Sequence, residues 1–253
     1  MKLRHLALGA AITVAFTSQI TALDTNMAAA INSPDRPASE TVRDAKRKPG
    51  EVLSFLGIKQ GMHVADLLGG SGYYTDILSR VVGDDGHVVN YINYYVRGRF
   101  PDTFGKGGML EKRQQTEQWK KNVSVKYGDM GAFSAESPLD AAIMVMFYHD
   151  TVWQGTERDK MNQAVFKALK PGGIYGILDH SSLEGAGTTG VKTLHRIEKS
   201  VVIKEIEAAG FKLVAESHLL SHPEDTRDYN VFRDYQTNRD STDRFLLKFQ
   251  KPE

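Results

Sequence analysis

Residues 64–75 read VADLLGGSGYYT. A short apolar run leads into a glycine-rich turn, GGSG. YYTDILSRVV follows at once, with its apolar residues at helical spacing. Strand, tight turn and helix in that order open a βα unit, which needs further strands beside it. In open parallel sheets, ligands lie beyond the carboxyl ends of the strands, where this first turn falls. Glycines let a ligand approach the backbone, and the start of the helix offers free N–H groups.

The rest of the chain supplies those strands. HVVNYI (87–92) is strand two and VSVKY (123–127) strand three. LDAAIMVMF (139–147) is strand four, a continuous apolar run suited to a buried parallel strand. IYGILD (174–179), FKLVAESHLL (211–220) and DRFLLKFQK (243–251) are strands five to seven. Helical spacing recurs in ERDKMNQAVFKALK (157–170) and EKSVVIKEIEAAG (198–210), and residues 116–121 close a polar helical stretch. Helices between strands imply right-handed crossovers. No helix fits between strands six and seven, so the last pair is expected to be antiparallel. The expected fold is α/β: a Rossmann-like, open, mostly parallel seven-stranded sheet with helices on both faces and an antiparallel final strand.

That domain is assigned to residues 61–253 and is preceded, over 23–60, by a linker and N-terminal helices. Residues 23–37 read as the linker; SETVRDAKRK (39–48) and PGEVLSFLG (49–57) read as helices. Arg36, Arg43, Arg47 and Lys48 are expected on a solvated face. PDTFGKGG (101–108) and EGAGTTG (184–190) are expected as surface loops, the second a candidate lid.

Residues 1–22 have a different character. Lys2, Arg4 and His5 precede LALGAAITVAF (6–16), and a small residue, Ala22, ends the segment. This is the pattern of a secretory signal, too short for a membrane span. The chain is therefore expected to be exported to the periplasm, with no membrane span left after cleavage at Ala22. The absence of cysteine suits an oxidising compartment and excludes thiol catalysis and zinc–thiolate sites. The net charge is +1 with both signs interspersed, so there is no basic stripe for a nucleic-acid partner. The expected partner is a small-molecule substrate; the sequence pattern sets no oligomeric state.

DLLGGSG (66–72) resembles the first motif of class I S-adenosylmethionine-dependent methyltransferases, and LKPGG (169–173) resembles the turn before their fifth strand. More closely, DRP (35–37), RKPGEVLSFLG (47–57), GGSGYYT (69–75), YHD (148–150), LKPGGIYGILDHSS (169–182), LHRI (194–197), EAAGF (207–211) and TDRFLLKFQKP (242–252) resemble a bacterial group of predicted methyltransferases. The resemblance implies S-adenosylmethionine as cofactor. It implies that Asp66, Gly70 and Gly72, with Gly69 beside them, line its methionine and ribose part, and that Asp129 holds the adenine amino group. Tyr73 and Tyr74 are expected to pack beside the loop, with stacking on a ligand ring as the sharper option. There are two departures. Leu68 stands where the first glycine is expected. Strand two ends in NYINYY (90–95), which offers Asn90 or Asn93 to the ribose hydroxyls instead of a carboxylate.

Strand four ends in Tyr148-His149-Asp150 and strand five in Asp179-His180-Ser181. In a parallel sheet both ends open on the face of the glycine loop, and His195 can return toward the same cleft. Three roles compete. His149 or His180 acts as a general base oriented by a neighbouring aspartate such as Asp150. Asp150, Asp179 and His180, with His149, hold a divalent metal. Or the residues tie strand ends through hydrogen bonds. The function expected is S-adenosylmethionine-dependent methyl transfer to O or N of a small molecule. An exported chain meets little of that cofactor, so two alternatives stand beside it: a non-catalytic binding protein on the same fold, and a metal-dependent hydrolase or lyase built on the His/Asp set.

Overall fold

The computed structural model describes residues 23–233 and 240–253. The expected signal segment, residues 1–22, lies outside them. Strands β1 (His63–Leu67), β2 (His87–Asn93), β3 (Val123–Gly128), β4 (Leu139–Val145), β5 (Leu169–His180), β6 (Lys212–Ser217) and β7 (Arg244–Gln250) form one sheet in the order β3-β2-β1-β4-β5-β7-β6. The first five strands pair in parallel, and β7 runs antiparallel between β5 and β6. This is the architecture read from the sequence, including its antiparallel end. The order reverses at β1, with β2 on one side and β4 on the other, which is where such sheets open a crevice.

Alternation along each strand builds two cores. Val64, Ile143, Leu178 and Leu246 pack with residues of α1 (Thr25–Ile31), α4 (Pro49–Leu56) and α5 (Tyr73–Val82). Ala65, Leu67, Met144, Ile177 and Leu247 pack on the opposite face, with α10 (Arg158–Ala168) and α11 (Lys199–Ala208). The same alternation turns Asp66 toward α5, where the Thr75 hydroxyl donates to it at 2.7 Å.

Several local expectations are corrected. The 23–37 linker contains α1: Asp24 caps it by accepting from the Met27 amide at 2.7 Å, and Met27 is buried against the α4–α5 face. A seven-residue helix has too little intrinsic stability to stand out in sequence, and here packing decides. The 39–48 helix is broken into α2 (Ala38–Thr41) and α3 (Asp44–Arg47). The loop at 101–108 contains α7 (Pro101–Phe104), held by buried Phe104, between α6 (Tyr94–Arg99) and α8 (Met109–Gln114). The helical stretch thus ends at Gln114, and residues 116–121 are turns. Nor is the arginine set a solvated face. Arg36 is 4% and Arg47 9% exposed, because each meets a carboxylate: Asp44 for Arg36 and Asp240 for Arg47. Asp240 lies 193 positions from Arg47, too distant for any local pattern to show. Among the described residues no helix is long and apolar enough to cross a membrane.

Candidate active site

The glycine loop is set by its first and third residues. Leu68, in place of the expected glycine, adopts a left-handed φ of 58° and donates its amide to Tyr91 at 2.7 Å. The backbone conformation that glycine would favour is therefore kept, and the leucine side chain is buried in exchange. A Cβ at Gly69 would lie 2.4 Å from Asp66 Oδ2, so the loop wraps directly over that carboxylate. Gly70, at φ 59°, has nothing within 4 Å of a Cβ: the crest of the loop is open. The Gly70 and Ser71 amides have no partner among the described residues. Asp66 itself is fully buried, and burial raises its pKa to about 6 against the Thr75 hydrogen bonds and the Arg47 charge.

The open crest forms one wall of a cleft of about 250 Å³. Asp66, Gly69, Gly70, Ser71, Tyr73 and Tyr74 stand on that side; Met146, His149, Asp150 and His180, from the ends of β4 and β5, stand opposite. Arg43, Arg47, Val231, Phe232, Asp240 and Thr242 complete it. Arg43 and Arg47 both bond the Asp240 carboxylate, at 2.8 and 2.9 Å, and the Arg47 guanidinium lies 4.5 Å from the Tyr73 ring centre. Tyr73 donates its hydroxyl to Asp44 at 2.6 Å, fixing the ring between arginines.

The second wall separates two histidines that look alike in sequence. Tyr148-His149-Asp150 does not extend β4 but makes the first turn of α9 (Tyr148–Trp153). Asp179 is fully buried and accepts the backbone N–H groups of His149 and His180, at 2.8 and 2.7 Å, and the His149 Nδ1–H at 2.7 Å. Burial opposes charge on His149, but the Asp179 and Asp150 carboxylates outweigh it and raise its pKa to about 10. An imidazole already protonated at neutral pH is not a general base. His180 is the reverse. Burial, then the charge of His149 and of nearby arginines, pushes its pKa well below the usual value. Its Nδ1 bonds Thr242 Oγ1 at 2.7 Å, which leaves Nε2 for the cleft.

Asp150 Oδ1 accepts from Trp153 Nε1 at 2.7 Å and from His195 Nδ1 at 2.9 Å. His149 Nε2 lies 3.0 Å from the same oxygen, but off the hydrogen-bonding direction, and makes no hydrogen bond. Trp153 thus braces Asp150. His149, Asp150 and His195 converge; Asp179 stands behind them on the Nδ1 side of His149, and the His180 ring is turned to Thr242.

Of the expected cofactor residues, Asp66, Gly69, Gly70 and Tyr73 line the cleft. Gly72, at φ 101°, starts α5 and lies under Trp119. Asn93 caps α6, accepting from the Val96 amide at 2.8 Å, and donates to Gln154. It pairs in register with Gly128, so Asn93 and exposed Asp129 are neighbours at the ends of β2 and β3, outward from the cleft. The open crest, the free amides and Asp66 suit the amino-acid end of S-adenosylmethionine. Sequence reasoning missed Asp240, Thr242 and Phe232. Only the TDRFLLKFQKP segment, already noted, marked their neighbourhood.

A parallel sheet with this strand order, an antiparallel seventh strand and a glycine loop at the switch-point cleft defines the class I S-adenosylmethionine-dependent methyltransferase fold. Residues 38–179 match the protein-L-isoaspartate(D-aspartate) O-methyltransferase (PCMT) family, and the chain belongs to it. It is 29% identical, over 179 residues, to the ubiquinone/menaquinone biosynthesis C-methyltransferase UbiE of Vibrio parahaemolyticus, a match that spans 68% of this chain and 63% of that relative. Among solved structures it resembles a SAM-dependent methyltransferase from Aquifex aeolicus (TM-score 0.55, 20% identity, 87% of this chain and 96% of that one). It also resembles the glycopeptide N-methyltransferase MtfA, solved with sinefungin (TM-score 0.56, 14% identity, 83% and 87%). At these identities the two structures speak for the fold.

Proposed function

We propose that the chain transfers the methyl group of S-adenosylmethionine to an oxygen or nitrogen of a small molecule held in the cleft. One observation carries this reading: the glycine loop and the free nitrogen of His180 face the same cleft of about 250 Å³. The cofactor supplies an electrophilic methyl group when bound. Asp66, Gly69 and Gly70 hold its amino-acid end, and Asn93 and Asp129 stand at the outer end of the same strand edge. His180 accepts the proton of the acceptor hydroxyl or amine, and the cleft walls fix the acceptor in line. Family membership and the UbiE relatives support methyl transfer.

Calorimetry with S-adenosylmethionine and S-adenosylhomocysteine is the test. Saturable heat that is lost in a Gly70→Asn variant, whose side chain tolerates the left-handed backbone, with thermal stability near the parent's, supports the reading. No heat at millimolar ligand sinks the cofactor assignment. We also propose that residues 1–22 export the chain. A reporter fused after residue 30 and active only in the cytoplasm would refute that.

A further inference from the structure

We propose that His149, Asp150 and His195 form a binding site for a divalent transition-metal ion, with Zn²⁺ the ion their chemistry fits. One nitrogen from each imidazole and a carboxylate oxygen of Asp150 lie within 4.8 Å of one another. The site goes beyond methyl transfer and stands or falls independently of it.

Four observations converge. First, His149 Nε2 is buried, 3.0 Å from Asp150 Oδ1 and without a hydrogen-bond partner, in a residue only 2% exposed. The Asp150 carboxylate beside it favours positive charge at that nitrogen, which a proton or a metal ion can supply. Second, the other nitrogen of that ring is fixed. Nδ1 donates to Asp179 at 2.7 Å, and Asp179 is itself held by two backbone amides. A carboxylate behind a histidine sets the tautomer that leaves Nε2 as a ligand and orients the ring, the usual support of a metal-binding imidazole. Third, His195 is held in the left-handed region at φ 55°, between the Trp153 and Phe232 rings. For a non-glycine residue that conformation costs about 1–2 kcal/mol, and here it delivers Nδ1 to the Asp150 oxygen. Fourth, the spacing is right. Ligand atoms around a tetrahedral zinc stand about 3.3 Å apart at bond lengths near 2.0–2.1 Å. The two nitrogens lie 3.0 and 2.9 Å from Asp150 Oδ1, within a few tenths of an ångström of that spacing on both edges.

Two imidazoles and one carboxylate select a borderline transition ion over magnesium, which prefers an oxygen set. His149 and Asp150 line the cleft, so the position left open by three protein ligands faces the place a small molecule would occupy. The ligand class this implies is an oxygen donor, such as a hydroxyl or carboxylate.

The test uses the full chain without a histidine tag, stripped with a chelator. Zn²⁺ is titrated in competition with a chromophoric chelator, and Co²⁺ is followed by its visible absorption. The expected result is one ion per chain, not displaced by millimolar Mg²⁺. His195→Gly suits the left-handed backbone while removing a ligand, and should weaken zinc at least 100-fold with the metal-free melting temperature kept. Asp179→Asn should weaken it about 10–100-fold through His149. Zinc affinity unchanged in His195→Gly overturns the proposal, as does a chain that holds no zinc at micromolar concentration. Neither result depends on methyl transfer or on S-adenosylmethionine binding.

Discussion

Replacing Asp66 by asparagine isolates the electrostatics of the glycine loop. The carboxyl is fully buried, and its pKa rises from 3.8 to about 6. A group whose folded pKa exceeds its unfolded one binds more protons when folded. Its contribution to stability is whole below about 3.8 and is lost as the pH rises through about 6. Two units at roughly 1.4 kcal/mol each make the charged carboxylate about 3 kcal/mol unfavourable at high pH. About 2 kcal/mol of that falls between pH 4.5 and pH 8. Asparagine carries no charge and removes this dependence. Hydrogen-bond differences between the two side chains are the same at both pH values and cancel. Urea unfolding of parent and variant at each pH is the assay. The stability difference should move by about 2 kcal/mol in favour of asparagine between pH 4.5 and pH 8. A difference that stays flat within about 0.5 kcal/mol would mean that Asp66 is solvated, and would refute the reasoning.

Three further outcomes are expected. Leu68→Gly relieves about 1–2 kcal/mol of left-handed strain but gives up about 1.5–3 of burial and adds unfolded-state entropy, for a net loss of about 1 kcal/mol in urea unfolding. Gly69→Ala sets a methyl 2.4 Å from Asp66 Oδ2 and should abolish S-adenosylhomocysteine binding in calorimetry, with a stability loss of about 1–3 kcal/mol. Asp240→Ala strips Arg43 and Arg47 of their shared carboxylate, whose pKa the pair holds well below the usual range despite burial. It should cost about 3 kcal/mol at neutral pH, and thermal melts should show the gap closing as the pH falls below the ordinary carboxylate range.

The sheet was legible because buried parallel strands are written as apolar runs. Strand four needs no partner to be recognised, and the lack of a helix between strands six and seven was enough to reverse the last one. What escaped was whatever depends on contacts far along the chain. Arg47 read as solvent-facing because no local window shows that Asp240, 193 positions away, will fold over it; Arg36 did so because Asp44, eight positions on, lies in a stretch that reads as one continuous helix but is broken. α1 escaped because its packing against α4 and α5, not its seven residues, makes it a helix. At the site, sequence placed His149, Asp150 and His180 at neighbouring strand ends. It could not order their roles, because both histidines adjoin an aspartate in the chain.

Their order comes from which partner each one meets. Asp179 precedes His180 in sequence, yet its carboxylate binds the ring of His149, while the His180 ring turns to the neutral hydroxyl of Thr242. One imidazole is thereby held positive and the other neutral. This is the usual way a site divides acid and base roles between like groups. The division survives the metal proposal. A proton or a zinc ion on His149 Nε2 places positive charge beside His180, whose ring centre is 5.8 Å from that of His149. In either state His180 remains the uncharged ring that lines the cleft with the glycine loop. Its loss should therefore lower turnover while leaving cofactor affinity and metal content in place.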